Sequence, residues 1–249
     1  KLPWREEIKD AQRAWIGKSE GAYLEFPVAG REEKIKVFTT RPDTVFGATY
    51  VVLAPEHPLV TSLCDGLSNK EEVEAYVKAT AQKTERERSE NKEKTGVKLE
   101  GVGAINPATK EEIPVFVADY VLASYGTGAV MAVPAHDERD FEFAKKFNLL
   151  IKPIIYNVGS VAGYWNEEKQ IHEIQQYADE WNVQYAKPGK LFDSGEFTGR
   201  DSEEAKWDIV TYAGGTRATQ YRLRDWLVSR QRYWGCPIPV VYDPEGKPH

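Results

Sequence analysis

The chain has 249 residues, 41% hydrophobic and 29% charged, a balance that permits one well-packed domain with flanking pieces and excludes a disordered tail. A net charge of −6 argues against broad, non-specific nucleic-acid binding, which needs many Lys and Arg contacts to phosphate, yet it leaves room for a narrow cationic surface. Cys64 and Cys236 stand far apart with no metal-ligand spacing, no run approaches the roughly eighteen apolar residues of a membrane span, and Lys1-Leu2-Pro3-Trp4-Arg5 has no apolar signal core, so a cytoplasmic location is the expectation.

Ile8, Ala11, Trp15 and Ile16 recur at helical spacing and lead through Gly17 and Gly21 into an extended stretch, Ala22 to Val28. Lys34 to Phe38 alternates polar and apolar residues with the period of a strand and runs into the polar cluster Thr39-Thr40-Arg41-Pro42-Asp43-Thr44, in which Arg41 precedes a proline and is biased away from helix. Thr49 to Ala54 reads as a buried strand ended by Pro55. The Glu- and Lys-rich stretch from Asn69 to Asn91, with Val73, Tyr76, Val77 and Ala81 on one stripe, predicts a long exposed amphipathic helix.

Two strands, Gly101 to Ile105 and Glu112 to Ala118, are predicted to form a hairpin across Asn106–Lys110. Gly126 to Pro134, small and apolar throughout, predicts a central strand, after which Asp137 caps a helix buried through Phe143, Ala144 and Phe147. Gly159 and Gly163 mark a loop, and helices are expected near Glu167–Trp181 and Asp201–Tyr212, with turn-rich segments at 187–189 and 193–196 between them. The last thirty-three residues are basic and aromatic, with Arg217, Arg222, Arg224, Arg230 and Arg232 set among Tyr221, Trp226, Tyr233 and Trp234. Strands and helices mix without a regular βαβ period, which points to a mixed α/β domain on a closed or strongly curved sheet.

Phosphate-binding loops, nucleophile elbows and zinc-protease pairs are absent from the sequence. What remains is a hydroxyl-rich strand end, Thr39, Thr40 and Thr44, and an acidic helix start, Asp137 and Asp140. Brought side by side, they would line a pocket with hydroxyls on one wall and carboxylates on the other, suited to a cationic, hydroxyl-bearing substrate. From composition alone, Asp137 reads first as a plain cap and His136 first as a structural hydrogen-bonding residue, while the threonines are as open to an ordinary strand-end role as to a functional one.

Thr39 to Thr44, together with Tyr125-Gly126-Thr127-Gly128-Ala129-Val130-Met131-Ala132-Val133-Pro134-Ala135-His136-Asp137-Glu138-Arg139-Asp140, resembles the paired signature of the editing insertion of bacterial-type leucyl-tRNA synthetases. Trp15 to Gly21 resembles the segment entering that insertion, and Arg222 to Trp226 with Ser229 to Gly235 and Pro237 to Pro239 resembles the return to the catalytic core. The resemblance implies a curved or barrel-like, mainly antiparallel sheet surrounded by helices, with an entry segment at 1–30, the editing domain at 31–216 and a return segment at 217–249. It also implies a deacylase that hydrolyses norvaline, isoleucine, methionine or similar side chains from mischarged tRNA(Leu) and spares leucine.

On that resemblance Asp140 pairs with the substrate's α-ammonium, Thr39 and Thr40 hold the amino acid and the attacking water, and Thr44 crowds out leucine. Arg41 sits near the terminal nucleotide, while Tyr125, Met131, Val133, His136 and Asp137 line the pocket. No metal or cofactor is expected for editing. ATP and magnesium would serve only the aminoacylation site, whose His-Ile-Gly-His and Lys-Met-Ser-Lys-Ser signatures this sequence lacks, so the chain is expected to edit and not to aminoacylate. Its expected partners are the 3′ end of tRNA(Leu) and the remainder of the synthetase, with no membrane and a monomeric isolated domain. A non-catalytic docking or tRNA-end-binding module, and the editing domain of a valine or isoleucine enzyme, are the competing readings.

Overall fold

The computed structural model describes residues 3–84, 87–88, 94–123, 126–156, 186–221 and 243. The helix expected near 167–181, the loop at Gly159 and Gly163, Tyr125 and the basic stretch from Arg222 onward lie outside the described residues. The chain divides into two units, Lys1–Ser19 with Tyr221–His249, and Glu20–Gln220. In the first, helix α1 (Glu6–Ile16) is closed by Gly17 in the left-handed conformation, its N–H bonding back to Arg13 O, and none of its residues is buried.

The second unit is a strongly curved wall of strands. Strand β1 (Lys18–Pro27) pairs antiparallel with β2 (Lys34–Thr39) in the order β2-β1-β9, where β9 is Thr216–Tyr221. A second sheet runs β4-β5-β3-β6, formed by β3 (Tyr50–Leu53), β4 (Gly96–Ile105), β5 (Glu112–Ala118) and β6 (Ala129–Ala132). Most pairings are antiparallel, but β3 lies parallel to β5. The sheets join where Val28 bridges Ala104 and Ala29 N–H bonds to Gly103 O at 2.9 Å, and β2 lies alongside β6 at the opposite margin. A register shift between Lys98 and Gly103 bends β4 and assists the curvature.

Alternation along the strands sorts the side chains between two faces. Leu24 and Phe26, Ile35 and Val37, Val51 and Leu53, Val97 and Leu99, Val115 and Val117, and Ala129 and Met131 share one inner cluster. Tyr50, Val52, Phe116, Ala118 and Ala132 face the other way and are covered by helix α4 (Glu138–Lys146), whose Phe143 stacks on Tyr50 with centroids 5.5 Å apart and meets Phe116 edge-on at 5.3 Å. Both faces of β3 are therefore buried, which explains its uninterrupted apolar run.

Two sequence expectations need correction. The segment 126–134 supplies β6, yet β6 is an edge strand of its sheet and not a central one. Its small residues suit the close approach of β2 on one side and α4 on the other, and that double cover gives it the apolar character of a central strand. The helix expected to run from Asn69 to Asn91 is α3 (Lys70–Thr80), shorter by a third or more, and Ala81 is exposed where the stripe would have buried it. Its inner stripe stops at the point where the chain must turn so that Arg88 can reach the β5–β6 connection.

Helix α2 (Pro58–Cys64) lies on β4, while the short strands β7 (Ile155–Tyr156) and β8 (Lys190–Leu191) pair together and lead to helix α5 (Ser202–Tyr212), capped by Asp201 as its sequence predicts. No helix of the described residues is long and apolar enough to cross a membrane. Phe143, fully buried against Tyr50, Phe116, Tyr120 and Phe147, fixes α4 to the outer face. Phe143→Ala is expected to lower unfolding stability by about 3–5 kcal/mol, read from chemical denaturation; a loss below about 1 kcal/mol would show that α4 is not anchored there.

Candidate active site

The polar cluster after β2 begins with a close approach. β1 and β2 pair with Ala22 opposite Thr39, and a side chain at Gly21 would collide with the Thr39 carbonyl and the Phe38 ring, so glycine there lets β2 reach its last residue undistorted. The chain then turns into a 3-10 helix, Pro42–Gly47, every residue of which is buried. Pro42 starts it and Arg41 stays non-helical at φ −120°.

This segment is braced from several sides. Thr39 Oγ1 accepts Arg41 N–H at 3.0 Å, and the Thr44 hydroxyl donates to Arg41 O at 2.8 Å. The Arg41 guanidinium grips the fully buried Asp43 carboxylate, with Nη2 to Oδ2 at 2.8 Å, and donates to Ala186 O at 2.6 Å. Asn106, also fully buried, donates to Val45 O at 2.9 Å and Ala48 O at 3.2 Å while its own oxygen accepts Ala108 N–H. Phe46 stacks on Tyr212 of α5 and leans on Phe197.

The second predicted element starts at the far end of β6. Val133 O accepts both His136 N–H at 2.8 Å and Asp137 N–H at 3.0 Å, forming the turn into α4. Asp137 caps the helix, its Oδ1 accepting Arg139 N–H at 2.9 Å and Asp140 N–H at 3.2 Å. His136 Nε2 accepts Ile154 N–H at 3.0 Å, so this nitrogen carries no proton and the ring ties the turn to the segment before β7.

Asp140 is 7% exposed. Its Oδ2 accepts Val133 N–H at 2.9 Å, its Oδ1 accepts the Tyr120 hydroxyl at 3.1 Å, and its backbone carbonyl accepts the Tyr50 hydroxyl at 2.8 Å. Burial is the main force on its carboxyl, with the nearby Asp137 charge adding to it, and together they push the pKa up to about 7 against the two donors and Arg139. The same burial raises both tyrosine hydroxyls far above their ordinary range.

The two elements meet around β6. At its start, a Cβ on Gly126 would lie 3.4 Å from Phe38 Cβ; at its end, a Cβ on Gly47 would lie 3.4 Å from Val133 Cγ1. The connection from Phe38 to Gly47 therefore spans the length of β6, and Thr49 N–H bonds to Ala132 O at 3.1 Å where β3 begins. Thr40 is exposed, Thr39 and Arg41 half-buried, and Thr44, Met131, Val133, His136 and Asp140 buried. Met131 faces the inner cluster opposite Val51, whereas the Asp140 carboxyl joins the Tyr50 and Tyr120 side of the wall.

Sequence reasoning passed over three residues that hold these elements. Asp43 had a legible signal, an acid two positions from Arg41 in a proline turn; Asn106 had the Asn-Pro turn signature, which speaks for the hairpin but not for its long-range bonds to Val45 and Ala48. Tyr120 carried no signal at all. Among the described residues, no group of three or more His, Cys, Asp or Glu is placed to hold a metal ion.

A carboxyl that binds its proton more tightly folded than unfolded adds to stability below about pH 4, and that contribution is lost as the pH rises through about 7. The amount at stake is on the order of 4 kcal/mol. Asp140→Asn, which keeps an acceptor for Val133 N–H without a titrating proton, is expected to flatten the fall in melting temperature between pH 5 and pH 8. An unchanged slope in such melts would place the titration elsewhere.

A family model described as "Leucyl-tRNA synthetase, editing domain" matches residues 13–214. The leucine–tRNA ligase of Nostoc punctiforme (strain ATCC 29133 / PCC 73102) is 52% identical over 248 residues, covering 97% of this chain and 28% of that protein. That of Rippkaea orientalis (strain PCC 8801 / RF-1) is 52% identical over 250 residues, covering 98% and 27%. Among solved structures, the ternary complex of Agrobacterium radiobacter K84 agnB2 LeuRS, tRNA and LeuAMS aligns with a TM-score of 0.65 at 31% identity, over 99% of this chain and 26% of that one. The chain spans little more than a quarter of the length of the curated relatives it matches. A mixed α/β barrel-like wall, with the Thr39–Thr44 turn at one margin of β6 and the Asp137 cap at its end, thus belongs to the leucyl-tRNA synthetase editing domain family.

Proposed function

We propose that this chain is a deacylase acting on mischarged tRNA(Leu), removing norvaline, isoleucine, methionine or a similar residue and sparing leucine. The observation that carries the reading is the match of residues 13–214 to the editing domain family, a span that includes both motif segments. The agnB2 LeuRS relative is described in complex with tRNA, which supports the aminoacylated 3′ end as the ligand here and the remainder of a synthetase as the partner. The work takes place in the cytoplasm, where charged tRNA is used.

The need for such a module is physical. A site selected for leucine rejects a side chain that differs by one methylene with only about 1–3 kcal/mol, so a second, hydrolytic sieve must remove errors. In the reaction, a water oxygen bonds to the ester carbonyl carbon, the bond from that carbon to the ribose oxygen breaks, and the ribose oxygen leaves with a proton. No metal is required for this balance. The free hydroxyl of the terminal ribose orients the water, assisted by Thr39 and Thr40; Thr40 is exposed, and Thr39 Oγ1 still has its own proton to donate while accepting Arg41 N–H.

Asp140 supplies the anchor for the α-ammonium. A carboxyl with a pKa near 7 ionises when a cation approaches, and the pair then gains from the same burial that disfavoured the lone charge. Thr44 supplies the exclusion. Its hydroxyl is committed to Arg41 O, which fixes the rotamer and hence the position of its methyl group, a rigid obstacle to the branched end of leucine. Arg41 serves the terminal nucleotide through the guanidinium edge left over from Asp43 and Ala186, and Met131, Val133, His136 and Asp137 are the proposed lining, Tyr125 lying outside the described residues.

The bonds that Thr44 and Asp137 make within their own turns, and that His136 makes to Ile154 N–H, favour one rival, a non-catalytic docking module in which these residues are purely structural. Deacylation separates the two. Asp140→Ala, with its fold checked by circular dichroism, is expected to abolish release of isoleucine from mischarged tRNA(Leu); undiminished turnover would remove Asp140 from the mechanism, and an inactive parent chain would favour the docking reading. Thr44→Ala is expected to make correctly charged leucyl-tRNA(Leu) a substrate, hydrolysed about tenfold faster or more than by the parent chain. Continued sparing of that ester would count against the sieve.

A further inference from the structure

Arg88 is 4% exposed, and its guanidinium is held by Asp119, Val121 and Glu56, none of them a predicted site residue. Its Nε donates to Asp119 O at 2.9 Å and its Nη2 to Val121 O at 2.7 Å, while Nη1 pairs with Glu56. One guanidinium thus clamps the carbonyls on both sides of Tyr120. The clamp is reinforced from α3 and the turn after it: the Tyr76 hydroxyl accepts Asp119 N–H at 2.9 Å, and Lys83 pairs with the Asp119 carboxylate at 3.2 Å. A planar, permanently charged fork holds two carbonyls at fixed spacing in a way an ammonium does not.

What is held so firmly is the hydroxyl that bonds Asp140 Oδ1. The Tyr120 ring is itself packed on Phe143, one turn along α4 from Asp140. Among the described residues, the groups facing the Asp140 carboxyl are Asp137 and Arg139 from its own helix start, Val133 N–H from the end of β6, and the hydroxyls of Tyr120 after β5 and Tyr50 on β3. Of the two groups among the described residues that donate to the carboxyl oxygens, Val133 N–H is backbone, and the Tyr120 hydroxyl is the donor that a side chain provides.

The geometry points to Tyr120, set by the Arg88 clamp, as a positioning residue that holds Asp140 Oδ1 and keeps its carboxylate ready for the substrate ammonium. The inference rests on the proposed role of Asp140. A hydroxyl donated to the ionised carboxylate favours that form, in opposition to burial and Asp137. Without it the carboxyl keeps its proton to higher pH and offers no charge to an ammonium at neutrality. The clamp removes the rotational freedom that would otherwise have to be given up each time the bond forms.

The test uses Tyr120→Phe and Arg88→Lys in the 249-residue chain, with two readings: the carboxyl-carbon NMR titration of Asp140, and the pH profile of isoleucyl-tRNA(Leu) hydrolysis between pH 5.5 and 8.5. For Tyr120→Phe the titration midpoint is expected to rise by about one pH unit. KM at pH 7 should increase about fivefold and recover towards the parent value at pH 8.5, with kcat little changed. Arg88→Lys is expected to give a smaller shift in the same direction, and it decides the matter if Tyr120→Phe does not fold. An unmoved midpoint, or a loss of activity equal at every pH, would reduce Tyr120 to a packing role and overturn the inference. If the parent chain hydrolyses nothing, the deacylase reading fails, while the titration still reports whether Tyr120 controls the carboxyl.

Discussion

A carboxyl withdrawn from water has to be compensated, and much of this molecule's organisation follows from how Asp140 is accommodated. Its oxygens take Val133 N–H and the Tyr120 hydroxyl, and its carbonyl takes the Tyr50 hydroxyl, so one helical residue collects the ends of β3, β5 and β6. Strand ends are ordinarily the loosest parts of a sheet. Here they are drawn together under α4, whose N-terminus is fixed by Asp137 and whose apolar face is locked by Phe143. The energetic sign is mixed: burial opposes the charge, the donors favour it, and the result is a group balanced near neutrality.

The Thr39–Gly47 connection is built on the opposite plan. Here the demanding group, Asp43, is fully buried and compensated inside the segment itself by Arg41. A buried pair of this kind contributes little net stability, but losing either partner strands the other, so it enforces one conformation of the turn. Asn106 extends the enforcement across the wall by tying the carbonyls of Val45 and Ala48 to the β4–β5 hairpin. Rigidity on both sides of β6 suits the proposed sieve, since discrimination by shape lasts only as long as the wall does not yield.

How much of this was legible in the sequence depends on the range of the interaction. Alternation gave β2, the buried run gave β3, the acid before an apolar stripe gave α4 and the same pattern gave α5, because each signal lies within a few residues. The edge position of β6 was hidden because cover by β2 and α4 makes an edge strand as apolar as a central one. The true end of α3 was hidden because the charged residues beyond Thr80 favour helix locally, while the chain has to break there to deliver Arg88. The motif residues were found through a resemblance, whereas Tyr120 and Asn106 act through partners tens of residues away that the linear order does not reveal, and only Asp43, two positions from Arg41, left a local signal.

The inner face of β6 carries the chain's one methionine, Met131, opposite Val51. The inner cluster it belongs to is built largely of stiff, branched or aromatic side chains such as Val37, Val51, Val115 and Phe26. An unbranched thioether changes shape at little cost. Among the described residues of that cluster Met131 is the one thioether, so a branched replacement there removes the side chain best able to adapt its shape.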